Sequence, residues 1–223
     1  MKAVVLLSGG LDSATCLSMA LKKGLDCYPL SISYGQVHSR ELQAAEAICS
    51  HYGIELKRIS INLDDIGGSS LYTGNIPKHD VEDIGASIPS TYVPGRNAIF
   101  LSIALSYAEV MDAQKVFIGV NALDYSGYPD CRPEFIEAFQ AMADKATKTA
   151  LEGKTITIET PLLNLTKAEI ISKGIKLDAP YHLTWSCYSG GKKACGQCDA
   201  CVLRLKGFEK AGYQDPIRYE EVP

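Results

Sequence analysis

The chain has 223 residues, 46% hydrophobic and 22% charged, enough to bury a substantial core and too apolar for global disorder. A formal net charge of −4 offers no broad basic face for a long nucleic-acid footprint, so a small substrate is the better expectation. The first apolar run is too short for a signal peptide and none has the length of a membrane span, which points to a cytoplasmic protein whose eight cysteines stay reduced and available to a metal.

In chain order, strands alternate with helices. Residues 2–7 form a short Val- and Leu-rich run, followed by a glycine turn and a helical stretch over 14–23 that stops at Gly24. Residues 27–33 read as a second strand and 39–52 as a helix ending at Gly53. Over 56–63, Leu56, Ile59, Ile61 and Leu63 alternate with polar neighbours, as in a third strand. Residues 64–95 are rich in Gly, Ser, Pro and Asp and longer than an ordinary connection, which predicts a functional loop or lid. A nearly all-apolar helix over 97–111 follows and is expected to lie against the sheet. KVFIGV at 115–120 and TITIE at 155–159 supply two more strands. Short strands separated by helices imply crossover connections, hence a parallel sheet covered on both faces. The alternation stops after Ile175, so the expected division is a sheet domain of residues 1–175 and a cysteine-rich module of residues 176–223.

The segment LLSGGLDSAT at 6–15 joins a strand to a helix. Gly9 and Gly10 permit a tight turn with converging backbone N–H groups, Ser8 and Ser13 add hydroxyls, and the helix start favours an anion. Loops that handle a γ-phosphate carry the lysine of GxxxxGK[ST]; this one does not, nor does it match GxGxxG. The alternative is an ordinary turn with Asp12 or Ser13 as helix N-cap.

Cys187, Cys195, Cys198 and Cys201 form C-x7-C-x2-C-x2-C, a spacing that suits tetrahedral Zn²⁺ in a closed structural site. An iron–sulfur cluster and redox chemistry are the alternatives. Lys192, Lys193, Arg204, Lys206 and Lys210 nearby could offset thiolate charge, touch an anionic partner or simply form a solvated face. Cys16, Cys27 and Cys49 fall inside element patterns and are expected to be buried small hydrophobes.

Three further segments carry candidates. At 92–97, Arg96 stands beside a glycine at a helix start, placed to meet a phosphate or carboxylate, while Asn97 could merely cap the helix. NALDYSGYPDCRPEF at 121–135 follows the fourth strand on the ligand side, with polar and aromatic residues for a planar heterocycle, or else a structural turn with Pro133 opening a helix. Cys131 has no histidine near in sequence to activate it as a nucleophile. Thr166 and Glu169 form a capping box, which leaves Lys167 at a helix start where it can supply the cation missing from the glycine loop.

SGGLDSA resembles the signature of the PP-loop ATP pyrophosphatases, which include NAD synthetase, the GMP synthetase ATPase domain, asparagine synthetase and tRNA-thiolating enzymes. The resemblance implies a Rossmann-like α/β fold with a five-stranded parallel sheet of order 3-2-1-4-5. It also implies cleavage of ATP between the α- and β-phosphates, with pyrophosphate held by the loop and Asp12 near Mg²⁺. The ATP contacts it implies are Leu7, Ser8, Gly9, Gly10, Leu11, Asp12, Ser13, Ala14, Thr15, Cys16 and Leu17, with Ser33, Tyr34 and Gly35 at the carboxyl end of the second strand and Asn97 at the start of the apolar helix. Ser8, Asp12, Ser13, Arg96 and Lys167 would be the catalytic set.

Taken together, SGGLDS, SYGQ at 33–36, VPGRN at 93–97, NALDYSGYPDCRPEF and the four cysteines resemble the 7-cyano-7-deazaguanine synthase family of queuosine biosynthesis, over almost the whole chain. This implies a ligase acting on 7-carboxy-7-deazaguanine, ATP and free ammonia through adenylated carboxylate and amide. The substrate would be held by Tyr92, Arg96, Asp124, Asp130, Arg132 and Phe135. Zinc would serve as scaffold, the chain would be a homodimer, and no nucleic-acid partner is expected. A tRNA-thiolating PP-loop enzyme and a non-catalytic zinc adaptor are the competing readings.

Overall fold

The computed structural model describes residues 1–36, 40–74, 76, 88–123 and 128–220. Five parallel strands, β1 (Lys2–Leu6), β2 (Asp26–Ser33), β3 (Lys57–Ser60), β4 (Lys115–Phe117) and β5 (Thr157–Glu159), form one sheet of order β3-β2-β1-β4-β5. The helices are α1 (Leu11–Lys22), α2 (Arg40–Tyr52), α3 (Arg96–Val110), α4 (Pro133–Ala146), α5 (Lys148–Leu151), α6 (Lys167–Lys176) and α7 (Asp199–Ala211). This is the Rossmann-like order that the glycine-loop resemblance implied.

The period of two in β1 explains why its sequence is apolar throughout. Val4 and Leu6 point into one core with Leu101, Ala104, Leu105 and Ala108 of α3 and Ile136 and Phe139 of α4. Ala3, Val5 and Leu7 point into the other, with residues of α1, α2 and α6. Tyr181 and Phe208, beyond residue 176, belong to this second core, so the cysteine-rich segment shares its apolar interior with the sheet.

Several element ends differ from the sequence reading. Helix α1 begins at Leu11, three residues before Ala14, because Gly10 takes the N-cap position with extended backbone (φ −77°, ψ 166°). The fourth strand stops at Phe117 and does not run to Val120. Beyond it, Gly119 passes so close to α1 that a Cβ there would lie 3.1 Å from the backbone carbon of Asp12. Of the irregular stretch 64–95, the described residues make turns around a small apolar cluster of Leu63, Leu71, Val93 and Tyr34. Among the described residues, no helix is long and apolar enough to cross a membrane.

Candidate active site

The carboxyl ends of β1, β2 and β4 open into a cavity of about 290 Å³. Its floor is the glycine loop and the first turn of α1. No side chain caps that helix start, so the amides of Leu11, Asp12 and Ser13 lack intrahelical acceptors and the positive end of the helix faces the cavity. Asp12 and Ser13 are the second and third residues of the helix, which removes the reading of either as its cap. The loop is tied internally: Ser13 Oγ donates to the Gly10 carbonyl at 3.0 Å, and the amides of Ser8 and Gly10 donate to Ser13 Oγ and Ser8 Oγ at 3.2 Å each. Gly9 (φ 94°) allows the loop to press on α2, since a Cβ there would lie 2.1 Å from the Glu41 carbonyl oxygen.

Lys167, the first residue of α6, reaches this floor from the far side. Its Nζ lies 2.8 Å from both carboxylate oxygens of Asp12. The lysine side chain is only 12% exposed. A cation thus stands beside the loop although none is present in the loop sequence.

Above the floor, Arg96 at the start of α3 donates to Tyr34 Oη at 3.3 Å, with its guanidinium 5.7 Å from the ring centre. Tyr34 meets Phe100 edge-on at 5.5 Å, forming an aromatic wall. Arg40 lies 4.6 Å over the Trp185 ring, and Glu41 beside it lines the same cavity. Burial pushes the Glu41 carboxyl up to about 7, with Arg96 opposing the rise. Burial likewise pushes the Cys131 thiol up to about 12, so this wall cysteine stays protonated at neutral pH and is a poor nucleophile.

The residues singled out from sequence divide cleanly. Leu7, Ser8, Gly10, Leu11, Asp12 and Ser13 line the cavity, as do Tyr34, Arg96, Asn97 and Lys167. Ala14, Cys16 and Leu17 are fully buried in the second core, and Thr15 is turned inward, bonded to Leu11 O and Tyr181 Oη. Gly9 backs onto α2, Ser33 ends β2, and Gly35 packs on Asp64; none of these three belongs to the cavity wall.

Of the expected heterocycle contacts, Arg96 lines the cavity, while Tyr92, Asp130, Arg132 and Phe135 stand outside its wall. The Asp130 carboxylate accepts from the Asn97 amide at 2.9 Å, supplying the cap that α3 lacks at Gly95; Asn97 itself is not the cap. Tyr92 stacks on Tyr128 at 5.6 Å, Arg132 is the exposed N-cap residue of α4, and Phe135 packs beside Phe139 at 6.1 Å. Asp124 lies outside the described residues.

Cys187 belongs to the cavity wall, and its sulfur and those of Cys195, Cys198 and Cys201 lie within 4.8 Å of one another. Tetrahedral zinc with Zn–S of about 2.3 Å sets sulfurs about 3.8 Å apart, and Cys195 and Cys201 already stand at 3.9 Å. Backbone amides of Ser189 and Cys195 point at Cys187 Sγ, and those of Gln197 and Cys198 at Cys195 Sγ, all within 3.4 Å. Such donors favour thiolates, so the set fits a metal. Cys16, Cys27 and Cys49 are buried as expected.

The sequence matches the family described as "Queuosine biosynthesis protein QueC" over residues 2–212. The chain belongs to the QueC family. Among curated proteins, this QueC-family chain is 56% identical over 220 residues to a 7-cyano-7-deazaguanine synthase of Acetivibrio thermocellus, covering 99% of this chain and 98% of that protein. It is 52% identical over 223 residues to one of Thermoplasma acidophilum, covering 100% and 93%. Among solved structures, the NMN synthetase of Francisella tularensis shares the fold at a TM-score of 0.51 and 20% identity, covering 96% of this chain and 78% of that one.

Two features of this QueC-family chain escaped the sequence reading. Arg40 and Glu41 are charged residues in the first turn of a helix that follows SYGQ, on the ligand side of the sheet, and that position was the available signal. Arg204 is 2% exposed and not part of a solvated face. It shares one side of α7 with Cys201 and Phe208, three and four residues away, so the helical period had placed it inward.

Proposed function

We propose that this chain is an ATP-dependent ligase that converts 7-carboxy-7-deazaguanine and ammonia into 7-cyano-7-deazaguanine, releasing AMP and pyrophosphate. The observation that carries the reading is the uncapped start of α1 opening into one cavity with Lys167, Asp12 and Arg96. A carboxylate oxygen is a poor leaving group, and adenylation makes it a good one. The substrate carboxylate attacks the α-phosphorus, and the departing pyrophosphate takes the amides of the α1 first turn and the Ser8 and Ser13 hydroxyls. Ammonia displaces AMP to give the amide; adenylation of the amide oxygen and loss of a second AMP give the nitrile. These residues act by positioning and by stabilising charge.

Asp12 would hold Mg²⁺, whose usual protein share is one or two carboxylates completed by phosphate oxygens; bound there, the ion neutralises phosphate charge. Zn²⁺ would be held by the four cysteines, a closed site and therefore a scaffold. We expect about one zinc per chain by elemental analysis, and loss of activity on chelation, because Trp185 and Cys187 belong to the cavity wall. Iron in place of zinc would overturn the scaffold assignment. In this reading the enzyme is cytoplasmic, takes free ammonia and works as a homodimer. Sulfur transfer to RNA would need a free activated thiol; Cys131 is tuned the other way, and in this reading the four clustered cysteines are committed to the metal.

Mass spectrometry of the reaction with 7-carboxy-7-deazaguanine, ATP, Mg²⁺ and ammonium tests the proposal. Nitrile together with AMP is expected; ATP consumption with an unchanged deazapurine would remove the substrate assignment.

A further inference from the structure

Making a nitrile from a carboxylate and ammonia sheds a proton from nitrogen at each stage, so the cavity needs an acceptor. Among the described residues, its wall contains two carboxylates, Asp12 and Glu41. Asp12 is held by Lys167 through both oxygens. The Glu41 carboxylate makes no hydrogen bond or ion pair with any described residue, and the charge acting on it is that of Arg96. The Glu41 backbone is pressed against Gly9, so the residue stands directly beside the glycine loop. Among the other groups of the wall, the Tyr34 and Tyr128 phenols are raised by burial, the Cys131 thiol stays protonated, and Cys187 belongs to the four-cysteine set.

We propose that Glu41 is the general base that takes the protons released from nitrogen as the amide and then the nitrile form. The inference rests on the ligase reading above. In the first stage the ammonia lone pair forms the C–N bond, the C–O bond breaks with its electrons leaving on AMP, and one N–H proton passes to the Glu41 carboxylate. In the second, the amide loses a proton as its oxygen bonds the next α-phosphorus, and the last N–H proton leaves as the C–O bond to AMP breaks. Glu41 returns each proton to solvent. Arg96 on α3 and Tyr34 after β2 act on it electrostatically, and the same cavity is lined by Arg40 on its own helix, by Tyr128, Cys131, Cys187, Tyr188 and Arg204, and by Asp12 and Lys167 at its floor. A carboxyl poised at about 7 is matched to this task, because a base works best with its pKa near the working pH.

Carboxylate-dependent exchange of pyrophosphate into ATP reports adenylation, which needs no proton acceptor, whereas nitrile formation needs one. In Glu41→Gln, exchange is expected to persist while nitrile formation falls about 10²–10³-fold. At fixed unprotonated ammonia, the wild-type rate should fall as pH drops through about 7, where the base becomes protonated, and E41Q should lose that limb. Equal losses of exchange and nitrile formation would make Glu41 a binding residue and overturn the proposal; so would an unchanged nitrile rate. If E41Q does not fold, Glu41→Asp decides: retained exchange with slower nitrile formation supports the base, and equal losses refute it. Wild-type protein with neither exchange nor nitrile would instead sink the ligase reading.

Discussion

Replacing Lys167 by methionine is expected to slow AMP formation by about 10²–10³-fold, the usual cost of removing one preorganised donor from a developing charge. Methionine keeps the aliphatic stem, which matters because the Lys167 Cγ fills the space over Gly207, where a Cβ would approach it to 2.3 Å. What is lost is the ammonium that contacts both oxygens of Asp12 at the phosphate end of the cavity. A single-turnover measurement of AMP release separates the step from binding: the rate should fall while the melting temperature stays close to wild type. A rate within about threefold of wild type would remove Lys167 from the chemistry, since effects of this kind run far larger.

Arg204→Met is expected to cost about 3–5 kcal/mol of stability, because it strands the carboxylate of Asp215 in the interior. Both partners are nearly out of water, at 2% and 3% exposure. The guanidinium donates through Nε and Nη2 to the two Asp215 oxygens at 2.7 and 3.0 Å, and its remaining donors reach Thr184 Oγ1, Ser186 Oγ and the Tyr181 carbonyl. Asp215 is shared with Tyr219 Oη at 2.6 Å and the Ile217 amide. This network joins α7 to the chain that leads into Cys187 and to the C-terminal segment. In a chain of this size the melting temperature should drop by about 6–20 °C. Lys210→Met, an exposed substitution on the same helix, should stay within about 0.5 kcal/mol. The double change Arg204→Met with Asp215→Leu should recover part of the loss; no recovery would mean that the arginine acts through packing alone.

The sheet was legible because its information is local. Runs such as KAVVL and TIE declare strands, and an apolar chain on both faces of β1 is what helices on both sides require. Strand ends were less so, because the fourth strand ends where Gly119 meets the backbone of α1, a tertiary contact with no local mark. The alternative of an ordinary capped turn is excluded for a related reason: Asp12 and Ser13 have the right chemistry, but the glycine turn sets the helix start at Gly10 and leaves its amides open. Asp130 and Arg204 both have partners that no local pattern marks. Asp130 has the chemistry of a ligand contact, yet it caps a helix 33 residues earlier in the chain. Arg204 has the chemistry of a solvated face, yet it holds a buried carboxylate. In both cases the partner is distant in sequence, so composition and spacing could not name it.

The proposed chemistry adenylates the substrate carboxylate and then the amide oxygen. Labelling both carboxylate oxygens of 7-carboxy-7-deazaguanine with oxygen-18 and reading every product by mass spectrometry tests this most directly. The expected result is an unlabelled nitrile with two AMP molecules, each carrying one oxygen-18, and no label in water. Unlabelled AMP, or label in ADP or inorganic phosphate, would contradict it.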